Sequence, residues 1–493
     1  MKQYLLLLLF PFILEVSAQN EIEKVNQTLN KEKIKSHIAF IASDEMRGRD
    51  TGSPELDKAA DYIVESFKKH GIKPVSGASR GYYQEVPMRK IVPPETVNFI
   101  LGETNIDYKK DLLFIRSHNL KNNYNFIYLN YANEEDYTEN VKGKIILCKT
   151  GNGKTESTET LEEISSNKRK IALQKGAAGI IEVFDDSDMS WFRYKNYFNR
   201  KQIIIDENRD NQPVLHAWVK MKKSELELYE QKKYKNIVSI SITGALDKPF
   251  ITYNVVGMLE GSDPKLKDEY VIYSAHYDHI GIGRPDAKND SIYNGARDNA
   301  VGTVTVLAAA ENLAKYPTKR SALFILFTGE EKGLMGSRYY TNHPLLPLNK
   351  MVYCFNSDNG GYNNTSIATI IGLNRTTAGS MIIEACNAFG LKAIDDPAAE
   401  QGLFDRSDNV NFAKKGIPAP TFSMGFTAFD QEIMKYYHQP GDSPESLDYE
   451  YLEKFFKAYV LSARLIGNSF TTPMWIEGDK YFPAAENLYR LEK

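Results

Sequence analysis

The sequence predicts an α/β protein with a mixed, largely parallel sheet flanked by helices and a mostly β segment inserted into it. Three observations carry this. The runs 271–275, 322–328 and 351–356 are short and apolar with little alternation, the pattern of strands buried on both faces. Helical patterns at 302–316, 331–341, 380–389 and 451–466 fall between and after them, and such alternation implies helices packed on both sides of a sheet. Between Thr96 and Gly244 the texture differs. Short β-type runs at 126–131, 144–148, 179–184, 202–205 and 238–242 dominate there.

Taken in order, residues 1–18 open with Met1-Lys2, continue as an apolar run to Leu14 and close on Ala18. That is the form of a secretory signal peptide, and the run is too short to span a bilayer. An exported chain, periplasmic or extracellular, is expected. Ile34, Ile38 and Ile41 follow at helical spacing. Ser53-Pro54 reads as an N-cap and first helical residue, Ala60, Ile63 and Phe67 as the buried stripe, and Gly71 as the stop. In the insert, 168–175 reads as a helix ending at Gly176, with Lys168-Arg169-Lys170 on its solvated face. The predicted division is a signal segment 1–18, one domain from 19–95 and 248–493, and an insert domain 96–247.

Composition narrows the function. With 493 residues, two or three domains are expected. The 61 basic and 64 acidic residues give a net charge of -3, no footprint for nucleic acid or an anionic membrane. Cys148, Cys354 and Cys386 are too few for a disulfide framework or a cysteine zinc site, although a Cys354–Cys386 pair stays open. Gly77-Ala78-Ser79-Arg80-Gly81 matches a nucleophile elbow in letters only, lacking the strand before and helix after. Gly153-Lys154-Thr155 lacks the first glycine of a phosphate loop.

The informative residues stand where predicted strands end. His276-Tyr277-Asp278 follows 271–275, Glu330-Glu331 follows 322–328, and Asp358 follows 351–356. Asp298-Asn299 precedes the helix at Gly302, and Tyr437-His438 lies further on. Carboxyl ends of strands form the crevice of an open α/β sheet, so residues distant in sequence are brought together there. Two imidazoles and several carboxylates in one crevice repel unless cations neutralise them, and mixed His/Asp/Glu donors suit zinc.

This set resembles metallopeptidase family 28, which holds co-catalytic zinc aminopeptidases, glutamate carboxypeptidase II, the transferrin receptor and glutaminyl cyclases. Met46-Arg47-Gly48-Arg49 with Thr51-Gly52-Ser53-Pro54, and the stretch from Asn254 to about Ile466, carry the likeness. Val141-Lys142-Gly143-Lys144-Ile145 and Gly176-Ala177-Ala178-Gly179-Ile180 give the insert a likeness to a protease-associated domain. The resemblance implies a phosphorylase/hydrolase-like zinc-peptidase core and two zinc ions. His276 and Asp358 would hold one ion, Glu331 and His438 the other, and Asp298 both. Glu330 would be the general base toward a water between the ions, Tyr437 the oxyanion donor, and Asp278 the group orienting His276. It also implies a cis peptide at Asp298–Asn299.

The chain departs from the family pattern at Arg297, at Asn359-Gly360 and at Asn409, which stands where Ser407-Asp408 would be followed by histidine. His279 reads as a loop residue. The implied activity is an exported aminopeptidase acting on peptides, favoured because an acidic crevice suits a substrate ammonium group and only Arg297 and Arg406 stand near it. A carboxypeptidase, a glutaminyl cyclase and a non-catalytic receptor-like homologue are the alternatives.

Overall fold

Four parallel strands form the centre of the sheet that the apolar runs predict. They appear in the computed structural model, which describes residues 19–154, 160–185, 190–206, 214–231, 233 and 235–490. The signal-like segment 1–18 and Thr155 lie outside these. The chain divides into two units, one ending at Val86 and resuming at Ile251, the other Pro87–Phe250.

In the first unit the strands Ser321–Phe327, Tyr270–His276, Met351–Ser357 and Thr421–Met424 lie side by side and parallel. Antiparallel neighbours flank them: residues 255–259, the end of the strand Leu246–Leu259, next to Ser321–Phe327, and Ile367–Ile371 next to Thr421–Met424. All residues of Ser321–Phe327 and Met351–Ser357 are buried, which is why these runs show no polar alternation. Val271, Tyr273 and Ala275 face a layer that includes the helices Pro54–Lys69, Gly302–Lys315 and Tyr449–Asn468, while Ile272 faces the layer containing Tyr340, Phe412 and Trp475. Tyr273 stacks on Phe324 and donates its hydroxyl to the Ala463 carbonyl. Each such buried aromatic contributes roughly 1.5–3 kcal/mol, enough to lock the sheet between its helices.

Local signals behave as the sequence reads. Ser53 Oγ accepts from Leu56 N at 3.1 Å, Pro54 opens the helix Pro54–Lys69, and Gly71 takes φ +73 just beyond it. One difference bears on the site. The helix expected over 331–341 begins only at Met335 and runs to Asn342. Gly333 and Leu334 both adopt positive φ, and their amides donate to the Glu330 carbonyl. Residues 330–334 therefore form a turn, which displays both glutamates instead of winding them into a helix.

The second unit contains a sheet ordered Thr104–Asn105, Thr96–Leu101, Ile237–Thr243, Leu120–Tyr128, Ile145–Lys149, Gly179–Asp185, Leu215–Met221 and Leu112–Arg116. Its helix begins at Leu161, well before Lys168, because Thr160 and Glu163 form a reciprocal capping box. The solvated-face reading of Lys168 fails: the residue is buried and paired with Glu182 at 2.8 Å. All three cysteines are buried free thiols. No helix among the described residues is long and apolar enough to cross a membrane.

Candidate metal centre

Four of the site residues stand at or just beyond the carboxyl ends of three adjacent parallel strands. His276 is the last residue of Tyr270–His276, Glu330 and Glu331 enter the turn after Ser321–Phe327, and Asp358 follows Met351–Ser357. Asp298 arrives on the segment before the helix Gly302–Lys315. His438 arrives on the turn after Gln431–Met434, at φ 54, a left-handed conformation uncommon outside glycine and enriched at functional positions.

The segment carrying Asp298 is tied down on both sides. The Asp442 carboxylate accepts from the backbone amides of Arg297 and Asp298 and from Arg297 Nη1. Asn299 donates to the Ser357 carbonyl and caps Gly302 N. Gly295, at φ 59, has no room for a side chain: an added Cβ would lie 2.2 Å from the Asp298 carbonyl oxygen and 2.6 Å from the His279 ring. The Asp298–Asn299 peptide is cis.

The two oxygens of Asp298 face different imidazoles. Oδ1 is 3.3 Å from His276 Nε2, and Oδ2 is 3.1 Å from His438 Nε2. His276 Nε2 is also 3.3 Å from Asp358 Oδ1, and His438 Nε2 is 3.3 Å from Glu331 Oε2. Donors around one tetrahedral ion, with bonds of about 2.0–2.1 Å, stand roughly 3.3 Å apart. The tautomer points the same way. His276 Nδ1 lies 3.1 Å from the Asp278 carbonyl, which can only accept, so Nδ1 carries the proton and Nε2 turns a lone pair toward two carboxylates. Such an array needs a cation or extra protons between its members.

The electrostatics of the groups show the same strain. Burial opposes charge on His438, yet hydrogen bonding to Asp298 and Glu331 pushes it up to about 10. Burial raises Glu330 well above the ordinary carboxyl value, with Asp358, Asp408 and Glu331 adding to the shift against His276. Burial also opposes ionisation of Glu331, but the His279 and His438 rings bring it down to about 2. Beyond the close approach of His279 Nδ1 to Glu331 Oε1, His279 Nε2 and Asp408 Oδ2 are buried without a hydrogen bond. This donor set of imidazoles and carboxylates fits divalent cations.

Two triads converge closely enough to share a cation, His276/Asp298/Asp358 and His279/Asp298/Glu331. For the second, His438 has the better geometry. It is nearly equidistant from Asp298 and Glu331, whereas His279 Nδ1 is 2.7 Å from Glu331 Oε1 and 4.0 Å from Asp298 Oδ1. His279 thus backs Glu331, fully buried. Reading it as a loop residue missed this, and only its place one residue after Asp278 could have signalled it.

All eight predicted site residues meet here. His276, Asp298, Glu330, Glu331, Asp358, Tyr437 and His438 line one cleft. Asp278 sits behind it, fully buried, its carboxylate accepting from Glu330 N at 3.1 Å and Thr51 Oγ1 at 2.9 Å. That carboxylate is 3.8 Å from His276 Nδ1, so the Asp278 backbone carbonyl, not its side chain, makes the hydrogen bond to the ring. Tyr437 stacks on His438 at 4.1 Å, and Gly360 leaves room for its ring, 3.2 Å from where a Cβ would stand.

The departures from the pattern have structural partners. Asn359 joins Asn299 Oδ1 to Met424 N, and Asn409 donates to the Ala419 carbonyl. Arg297 lies over the Tyr436 ring at 3.7 Å and bonds Asp442 and Ser446. Ser79 lies in a loop and donates to the Tyr83 carbonyl, with no elbow around it.

Residues 254–462 match the model of Peptidase family M28. The chain is 26% identical over 325 residues to aminopeptidase YwaD of Bacillus subtilis, covering 65% of this chain and 62% of that protein. It is 29% identical over 218 residues to a probable leucine aminopeptidase 2 of Aspergillus oryzae, covering 40% and 41%. The chain thus matches less than two thirds of the length of these relatives. A solved structure titled as an aminopeptidase from Aneurinibacillus sp. strain AM-1 aligns over 92% of this chain and 97% of its own, at 20% identity and a TM-score of 0.49.

Proposed function

We propose that this chain is a peptidase of the M28 type, an exported dinuclear zinc aminopeptidase that removes N-terminal residues from peptides. The observation that carries the reading is Asp298, whose two carboxylate oxygens each face a different imidazole with a further carboxylate beside it. His276 and Asp358 would hold one zinc, His438 and Glu331 the other, and Asp298 both. Bound zinc would supply Lewis acidity and make a water acidic enough to lose its proton near neutral pH.

The chain's own groups do the rest. Glu330, in the turn that also fixes Glu331, takes a proton from the attacking water and returns it to the leaving amine. The Tyr437 hydroxyl donates to the carbonyl oxygen of the scissile bond as it gains charge. Asp278 fixes Glu330 through its backbone amide and His276 through its own carbonyl, while His279 holds Glu331 from behind. Both supports are buried, so they orient these groups without meeting substrate. The carboxylates at the cleft attract a substrate ammonium group, which favours the amino terminus as the end that is bound. The signal-like segment 1–18 supports export, and the Gly-rich motifs of Pro87–Phe250 support a protease-associated type of insert.

The test is a tripeptide panel with zinc present, with products identified. Release of the N-terminal residue, abolished by N-acetylation, is expected. Release of the C-terminal residue would make the chain a carboxypeptidase, and pyroglutamate formation from N-terminal glutamine a cyclase.

A further inference from the structure

We propose that Arg406 is a specificity residue that binds a carboxylate of the peptide substrate. The proposal deepens the peptidase reading above and rests on it for the identity of the ligand as a peptide.

Arginine near the acidic cleft has two sequence candidates, and the structure separates them. Arg297 is buried and committed to Asp442, Ser446 and the Tyr436 ring, so it cannot turn to a ligand. Arg406 is exposed and is the only lysine or arginine among the residues lining the cleft. Among the described residues it makes no ion pair and no side-chain hydrogen bond. The acid next to it, Asp405, is already taken by Lys480 Nζ at 2.7 Å and by the Tyr481 hydroxyl. Arg375, nearby in the same part of the fold, is held by Asp479 at 2.7 Å and lies over Phe404. Arg406 alone of these cations is left with its donors available.

The wall beside it is suited to a carboxylate on an otherwise apolar ligand. Ile371, Leu403, Phe426 and Phe429 supply apolar surface, and Ser407 and Ser423 supply hydroxyls. Ser407 is itself held in place, its Oγ accepting from Asn356 Nδ2 at 2.8 Å. A guanidinium presents paired N–H donors that match both oxygens of a carboxylate. It also offsets the repulsion that a substrate carboxylate meets from Asp298, Glu330, Glu331 and Asp358 in the same cleft. The carboxylate has two sources, the C-terminus of a short peptide or an acidic side chain.

The experiment compares three tripeptides with free N-termini: one carrying an acidic side chain, its amide counterpart, and a neutral one with its C-terminus free or amidated. For the wild-type protein, kcat/KM for the preferred carboxylate form should exceed that of its neutral counterpart at least about tenfold, equivalent to about 1.4 kcal/mol. In Arg406→Gln that ratio should fall to within about twofold, and Arg406→Lys should recover part of it as a point charge without the paired geometry. Which pair carries the ratio identifies the source. Calorimetric binding of the same peptides to the metal-loaded Glu330→Gln form reads the ratio without turnover. Ratios that are the same in wild type and Arg406→Gln, by turnover or by binding, overturn the proposal. Loss of the C-terminal rather than the N-terminal residue would refute the aminopeptidase reading while leaving the Arg406 ratio as a separate result.

Discussion

Each unit buries a carboxylate among imidazole and charged partners, and the two clusters are built on opposite terms. In the second unit, fully buried Glu182 accepts from Lys168 Nζ at 2.8 Å, His216 Nε2 at 2.8 Å, Trp218 Nε1 at 3.0 Å and Ser165 Oγ at 2.5 Å. Arg169 donates to His216 Nδ1 at 3.2 Å, so the neutral ring has its tautomer set from both sides. Burial would raise the Glu182 carboxyl, but the Lys168 charge and the His216 hydrogen bond bring it down to about 2. Every acceptor there has a donor from the chain. Around Asp298, by contrast, three carboxylates share the His276 and His438 imidazoles, and His279 Nε2 is buried without a hydrogen bond. A buried charge must be paired. A cluster that satisfies itself is structural, and one that does not has the chemistry to hold added cations. That difference, not burial or acidity, separates the two.

The comparison is broken most directly at Glu330. Glu330→Gln should lower turnover by about 10³-fold, in the range for loss of a general base, with bound metal unchanged. Glu331→Gln should lose metal as well as turnover. Metal analysis on the assayed samples distinguishes these, and equal metal loss in both variants would overturn the assignment of roles.

The self-satisfied cluster should respond in stability alone. Lys168→Met leaves Glu182 buried without its cation and should destabilise its unit by about 3–5 kcal/mol, with zinc content unaffected. Trp191 and Trp218 both lie in that unit, so their fluorescence during denaturant unfolding of the full chain reports it. A variant as stable as wild type would show that the pair is dispensable.

Acid sharpens the same contrast. Burial lowers His216 from its ordinary 6.5 to about 4, against the pull of Glu182. Between those values the unfolded chain binds a proton that the folded chain refuses, so stability falls as pH drops from 6.5 to about 4, by about 3 kcal/mol. Glu182, held below its ordinary value, extends the loss as pH falls further from 4.5 to about 2. His216→Gln should flatten the upper part of this profile. An unaltered pH dependence of the tryptophan transition would refute it.

The smallest effect is expected where a support, not a donor, is removed. Thr51→Val deletes the hydroxyl that bonds Asp278 Oδ2 and should weaken zinc affinity about tenfold, read by competition with a chelator. No loss would mean that Glu330 N alone holds that carboxylate in place.

Much of the architecture is legible in local pattern. Buried parallel strands have no polar alternation, so 271–275, 322–328 and 351–356 identify themselves. Ser53, Pro54 and Gly71 mark a helix through capping and backbone preference alone. Residues at strand ends inherit their position from the sheet, so His276, Glu330 and Asp358 could be placed together without coordinates. Where local pattern misled, a distant partner decided. Lys168 looks like a solvated helix face, and only Glu182 on a neighbouring strand draws it inside. Glu331 looks like the start of a helix, and two positive-φ residues turn the chain instead.

By itself, then, the sequence determined the α/β class, the strand ends and the set of residues that meet there, because hydrophobic period and backbone preference act over a few residues. Tertiary structure alone decided the rest. It placed His279 behind Glu331, assigned the hydrogen bond to His276 to the carbonyl of Asp278, locked Arg297 onto Asp442 and left Arg406 without a partner among the described residues. Those outcomes depend on which side chains meet across tens or hundreds of residues, and burial and charge pairing between distant segments are set only when the whole chain has packed.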